Sequence, residues 1–200
     1  MNKTECTKLL GLINEGRIND LKELLEANLY ELRMKELNGN GYMKAVKKVT
    51  KLIEKAGKRR EVLGFYDVQD GQQVFTDSYI GFRMNEGHYI ETIKHHENNH
   101  GVYPDCRDFF PVANPDCMVE IDMDQLAKPY KIVPMNGKDM ALYEIKSEYN
   151  MCKAVIQAEF LEIALGILGN NTKMYVFGSM RPVLLESEKG TCIIVPVRMD

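Results

Sequence analysis

YMKAVKKVTKLIEKAGKRREVLGFYDVQDGQQVFTDSYIGFRM, residues 42–84, changes its periodicity halfway along, and that change decides the fold. In the first part Tyr42, Ala45, Val46, Val49, Leu52, Ile53 and Ala56 recur at i, i+3, i+4 and i+7, the spacing of one helical face. Lys44, Lys47, Lys48, Lys51 and Lys55 fall on the opposite face, and Gly57 is the expected terminator. Beyond it the segments 62–68, 73–76 and 79–84 are short and rich in β-branched and aromatic residues. Asp70-Gly71 between the first two is a hairpin signal, because both turn positions need positive φ. Residues 88–93 read as a fourth strand. A helix is thus followed by antiparallel strands.

The same order returns near the other end. A strand at 154–156 leads into a helix over 158–168. Phe160, Leu161, Ile163, Ala164, Leu165, Ile167 and Leu168 wrap more than half of that helix, so it should be well buried. Gly169-Asn170-Asn171 closes it, and strands at 173–177, 182–186 and 192–197 follow. The repetition predicts an α+β fold of duplicated helix-plus-antiparallel-sheet half-domains. Between the halves, 94–117 reads as an irregular, proline-bearing connector, followed by strands at 118–121 and 140–145 and a helical turn at 122–127. Residues 4–37 are helical in pattern, interrupted at Gly16 and stopped by Asn38-Gly39-Asn40-Gly41. The expected organisation is a helical hairpin over 1–40 and an α+β domain over 41–200.

With 44% apolar and 28% charged residues, the 200-residue chain has the composition of a globular protein, which excludes disordered and fibrous classes. Its longest apolar runs, such as 193–197, fall far short of the ~18–20 residues that span a bilayer, so no membrane association is expected. No basic-then-apolar leader opens the sequence. Five cysteines, an odd number, fit reduced thiols in a cytoplasmic protein. The net charge of −3 is unevenly spread: residues 42–60 carry +7, leaving −10 on the remainder. Such a segment either addresses a polyanion or is a solvated helix face.

Chemistry-bearing motifs are sparse. There is no nucleophile elbow, P-loop or dinucleotide fingerprint, and the reading is of a non-enzymatic protein without a cofactor. His95, His96 and His100 lie near Cys106 and Cys117. His96 and His100 have a zinc-compatible spacing, but the cysteines are eleven apart, so the segment reads as a polar loop and no metal is expected. Asp105, Asp108 and Asp116 read as capping or salt-bridging loop carboxylates.

Three stretches resemble the bacterial DNA polymerase III β subunit, the sliding clamp. The first runs from Val62-Leu63-Gly64-Phe65 through Asp70-Gly71 to Phe75-Thr76-Asp77-Ser78-Tyr79. It is similar to the family's strand, hairpin and Thr-Asp-Gly-His/Tyr segment, with serine in place of that glycine. The second is Gly101-Val102-Tyr103-Pro104-Asp105-Cys106-Arg107, continuing to Pro111 and then Asn114-Pro115-Asp116. It resembles the connector into the clamp's last domain. The third is the C-terminal helix, Arg181-Pro182-Val183-Leu184-Leu185 and the closing Ile194-Val195-Pro196-Val197-Arg198-Met199. Together they cover 43–93 and 101–200. Family members have three domains and close into dimeric rings, whereas this chain holds one such domain or one and a half.

The resemblance implies a reduced, clamp-like DNA-replication accessory with two surfaces. Helices of the family line the channel around duplex DNA, which assigns phosphate contacts to Lys44, Lys47, Lys48, Lys51, Lys55, Arg59 and Arg60, without base readout. Partner proteins such as polymerase subunits dock a short motif in an apolar pocket, which transfers here to Val62, Thr76, Tyr79, Pro104, Phe109, Ile193, Val195 and Val197. The family's apolar residue near this site falls on Gly81, so one wall is expected to be shallow. Read from the residues alone, alternating Ile193, Val195 and Val197 near a stiffened connector make either such a groove or ordinary core packing. Self-association is a further expectation. In the alternative reading the chain is a clamp-fold interaction or regulatory protein without clamp activity, working through its N-terminal helices.

Overall fold

A single long helix, α1, runs from Ile18 to Arg59 in the computed structural model, which describes residues 10–11, 13, 15–97, 100–121, 131–135, 138–146, 153–169 and 171–198. The expected interruption at Gly16 is present: its φ is +68°, and its N–H donates to the Ile13 carbonyl. The expected stop at Asn38–Gly41 is not, because α1 passes through it. Two glycines and two asparagines cost a helix interior roughly 3 kcal/mol relative to alanine. None of them removes a backbone donor as proline does, and starting a second helix would carry its own nucleation cost. The chain divides into two units, 1–43 and 44–200.

In the second unit the expected stripe is buried: Ala45, Val46, Val49, Ile53 and Ala56 are each 4% exposed or less. Gly57 does not end the helix. It is the point that the returning chain crosses, and a Cβ there would sit 2.7 Å from the Gly64 Cα. Gly64 closes a 3-10 turn, Glu61–Gly64, where a strand was expected. Val62 and Leu63 are adjacent and both buried, which a turn permits and an alternating strand does not.

The strands follow as β1 (Asp67–Gln69), β2 (Gln72–Thr76), β3 (Ile80–Met84), β4 (Met118–Val119), β5 (Lys131–Met135), β6 (Lys138–Lys146), β7 (Lys153–Gln157), and then, after helix α2 (Ala158–Leu168), β8 (Lys173–Tyr175), β9 (Val183–Ser187) and β10 (Gly190–Ile194). Asp70 and Gly71 hold φ of 52° and 74°, the two positive values of a tight hairpin between β1 and β2. The large antiparallel sheet has the order β1-β2-β3-β10-β9-β8-β4, and β5-β6-β7 form a smaller one. The architecture is α+β.

Residues 88–93 form no strand. The amide of Gln73, fully buried on β2, accepts from the Ile90 N–H at 2.7 Å and donates to the Ile90 carbonyl at 3.2 Å, so a side chain takes the place of a strand partner. The last strand ends at Ile194 rather than at 197. The N–H groups of Val195 and Val197 leave the ladder and donate to the carbonyls of Tyr79 and Val155. β5, which carries Pro134, has no counterpart among the expected strands; it lies at an edge, where proline is tolerated. The expected turn at 122–127 lies outside the described residues.

α2 lies against β9 and β10 of the large sheet and β6 and β7 of the small one. Phe160, Leu161, Ile163, Ala164, Ile167 and Leu168 fill that space. On one face of the large sheet Phe82, Cys192, Leu185 and Met174 align across four strands, each 3% exposed or less. On the other face Gly81, Ile193, Leu184 and Tyr175 align, and Phe110, Ala113 and Cys117 of the connector pack over that row.

Candidate functional site

The bend between β2 and β3 is built by two side chains. Asp77, 5% exposed, accepts at Oδ1 from the N–H groups of Tyr79 and Ile80, both at 2.9 Å. Thr76 Oγ1 donates to the Ile80 carbonyl at 2.9 Å and accepts from the Ser78 N–H at 3.0 Å. These bonds force Ser78 to a φ of +82°, in the left-handed region. They also turn Tyr79 outward, half exposed, and its carbonyl receives the Val195 N–H at 2.8 Å.

Beside this bend, Gly81 faces Ile193 across the β3–β10 ladder. A Cβ on Gly81 would lie 3.2 Å from Ile193 Cγ1 and 3.5 Å from Thr76 Oγ1. The Ile193 side chain therefore occupies the space above the glycine, and Ile193 is only 7% exposed. Thr76, Tyr79, Ile193 and Val195 are thus one neighbourhood.

The connector supplies the rest. Val62 belongs to a buried cluster with Ala56, Leu63, Val74, Tyr103 and Cys106. Phe110 packs on that cluster and on the one containing Ile193, Leu184 and Tyr175, so it links the two ends of the site. The Gln69 side chain fixes the connector to the edge of β1, donating to the Pro104 carbonyl at 2.9 Å and accepting from the Cys106 N–H at 3.0 Å. Arg83 lies 4.4 Å from the Phe110 ring centroid and donates to the Arg107 carbonyl. Arg107 holds the Asp105 carboxyl down at about 2 through side-chain and backbone hydrogen bonds. Burial pushes the Cys106 thiol up to about 11, leaving it a poor nucleophile.

Exposure sorts the eight candidate docking residues. Tyr79, Phe109 and Val195 are accessible, at 50%, 51% and 38%. Thr76, Pro104 and Val197 are half-buried, and Val62 and Ile193 are buried and form the floor.

On α1, Lys44, Lys47, Lys51, Lys55 and Arg59 are exposed, as is Arg60 just past its end. Lys48 differs, because its Nζ lies 3.1 Å from Glu162 Oε2 on α2. Glu159 and Glu162, both exposed, bring negative charge to α2.

The histidine segment is organised by aromatic rings. His100 stacks on Phe65 at 4.2 Å between centroids and puts Nδ1 3.1 Å from Glu61 Oε1. His95 meets Tyr66 edge-on, and His96 is buried edge-on to Tyr103. Among the described residues, no three His, Cys, Asp or Glu side chains form a group able to hold a metal ion. Beside these rings opens a cleft of about 630 Å³ that the sequence reading missed. Its only sequence signal is Phe65-Tyr66 together with a histidine-rich segment thirty residues on.

Among the described residues, no helix is long and apolar enough to cross a membrane. Comparison of the chain with protein-family models, curated proteins and solved structures finds no match.

Proposed function

We propose that this chain is a reduced, clamp-like, non-enzymatic accessory of DNA replication in the cytoplasm. It docks a short partner segment, such as the clamp-binding motif of a polymerase subunit, beside Tyr79, Phe109 and Val195, and it contacts duplex phosphates through the lysine row of α1. The observation that carries this reading is convergence. The three stretches bearing the clamp resemblance are far apart in sequence, yet the bend at 76–80, the connector at 103–110 and the tail at 193–195 meet in one neighbourhood.

Two further facts support it. Ser78 has the positive φ that glycine adopts without strain, at the position where the clamp pattern has glycine. A helix followed by three strands occurs twice, as α1-β1-β2-β3 and α2-β8-β9-β10, and β3 pairs with β10 to join them. That arrangement is what duplicated clamp half-domains would give.

The test is fluorescence anisotropy with a labelled clamp-recognition peptide. Saturable binding is expected, weakened about tenfold or more by Val195→Asp, which puts a charge in a partly desolvated apolar contact. Absence of binding by the unmodified chain at high micromolar concentration would sink the reading.

A second reading is favoured by the first unit, where Leu10, Ile13, Ile18 and Leu25 are 60%, 56%, 74% and 41% exposed. In it the N-terminal segment is the working surface and the chain self-associates. Light scattering separates the two. A multimer dissolved by Ile18→Lys with peptide binding intact assigns assembly to that surface; a monomer dismisses it.

A further inference from the structure

From the cleft beside the end of the lysine row we infer that this protein also binds an unpaired base of single-stranded DNA continuing from a duplex. The inference rests on the duplex-binding reading above and adds a second site to it. Five lysines of α1 form one stripe, Lys44, Lys48, Lys51, Lys55 and Lys58, spaced alternately by four and three residues. On an α-helix that stripe is roughly 21 Å long. Its last member, Lys58, lines a cleft of about 320 Å³ together with Gly57, Gly64 and Phe65. Phe65, Ile93 and Lys94 also line the larger cleft of about 630 Å³, so the two are continuous along the same wall.

The chemistry of that wall suits a nucleobase. Phe65 and His100 form a stacked pair, and Tyr66 and His95 stand beside them in the larger cleft. Every base has a π-face that stacks on such rings irrespective of sequence, and a cationic row that tracks the backbone beside stacking rings is how single strands are held. The volume lies within the range of small-molecule sites.

The carboxylates decide which part of the strand enters. Glu54, Glu91 and Glu97 line the clefts, and Glu61 is engaged with His100. They repel phosphate, which stays on Lys55, Lys58 and Lys94. They accept hydrogen bonds from exocyclic amines, so the base and not the backbone turns inward.

The experiment uses the full chain, a labelled blunt duplex, and the same duplex carrying a single-stranded overhang of about six nucleotides. The overhang substrate is expected to bind about tenfold tighter, within the stacking contribution of one base. Phe65→Leu keeps an apolar group of similar size but no aromatic face, and His100→Ala removes the stacked partner. Each is expected to abolish the preference while leaving blunt-duplex affinity within about twofold. Equal binding of both substrates by the unmodified chain overturns the inference and leaves duplex binding standing. Loss of blunt-duplex binding in both variants assigns Phe65 and His100 to the fold and also overturns it. Absence of binding to either substrate removes the duplex reading together with this one.

Discussion

Ser78 sits at a φ of +82°, where a Cβ crowds the backbone and a non-glycine residue pays about 1–2 kcal/mol. Its side chain is exposed and makes none of the bonds that shape the bend, which come from Thr76 and Asp77. Ser78→Gly is therefore expected to stabilise the protein. Greater freedom of glycine in the unfolded chain offsets part of the gain, leaving about 0.5–1 kcal/mol, readable as a higher midpoint in urea. An unchanged or lower midpoint would mean that the bend does not require a left-handed residue. At this scale the sequence was informative where chemistry is local. Asp70-Gly71 dictated its hairpin, because two adjacent positive φ values leave few alternatives. Gln73 was opaque, because nothing in its neighbours reveals that its amide will stand in for a strand opposite Ile90.

Helices and strands were legible when their periodicity was uninterrupted, and misread where small residues carried the information. The helix at 158–168 was set by seven apolar residues and matches α2. Gly57 looked like punctuation and is instead half of a contact with Gly64, each leaving room for the other's backbone. That distinction depends on where the chain goes after the helix, which no local window contains. Asn38–Gly41 is misread in the same direction, since weak helix formers between two strong segments lower the propensity without breaking the hydrogen-bond ladder. The continuity of α1 makes a definite prediction. Gly41 is exposed, with nothing within 4 Å of an added Cβ, so Gly41→Ala meets no steric penalty. It is expected to stabilise by about 0.5–1 kcal/mol and to raise helical circular dichroism. In a turn that needs glycine at this position, the same change would destabilise.

Over the whole molecule, the strand pairing in the middle of the large sheet could not be read in advance. β3 and β10 lie more than a hundred residues apart, and their pairing is fixed by packing on both faces of the sheet rather than by any local signal. The candidate docking surface inherits this: its residues were nameable from motifs, but their division into exposed contacts and buried floor follows from that pairing. Charge has the same non-local character. The sequence isolates a cationic segment in an acidic chain, yet the fold sets Glu162 3.1 Å from Lys48 and so neutralises the middle of the row. The Lys48 and Glu162 side chains are 31% and 57% exposed, so their pairing contributes at most about 1 kcal/mol to stability. Its larger effect is on any polyanion approaching α1, which meets one fewer cation and one more carboxylate. Glu162→Gln is therefore expected to leave the unfolding midpoint nearly unchanged and to tighten blunt-duplex binding several-fold at low salt. It is also expected to steepen the salt dependence by about 0.9 in log K against log salt, the signature of one additional phosphate contact. If affinity rises while the slope stays the same, Lys48 does not reach a phosphate and the gain is long-range attraction alone. If neither changes, duplex DNA does not lie along this face of α1.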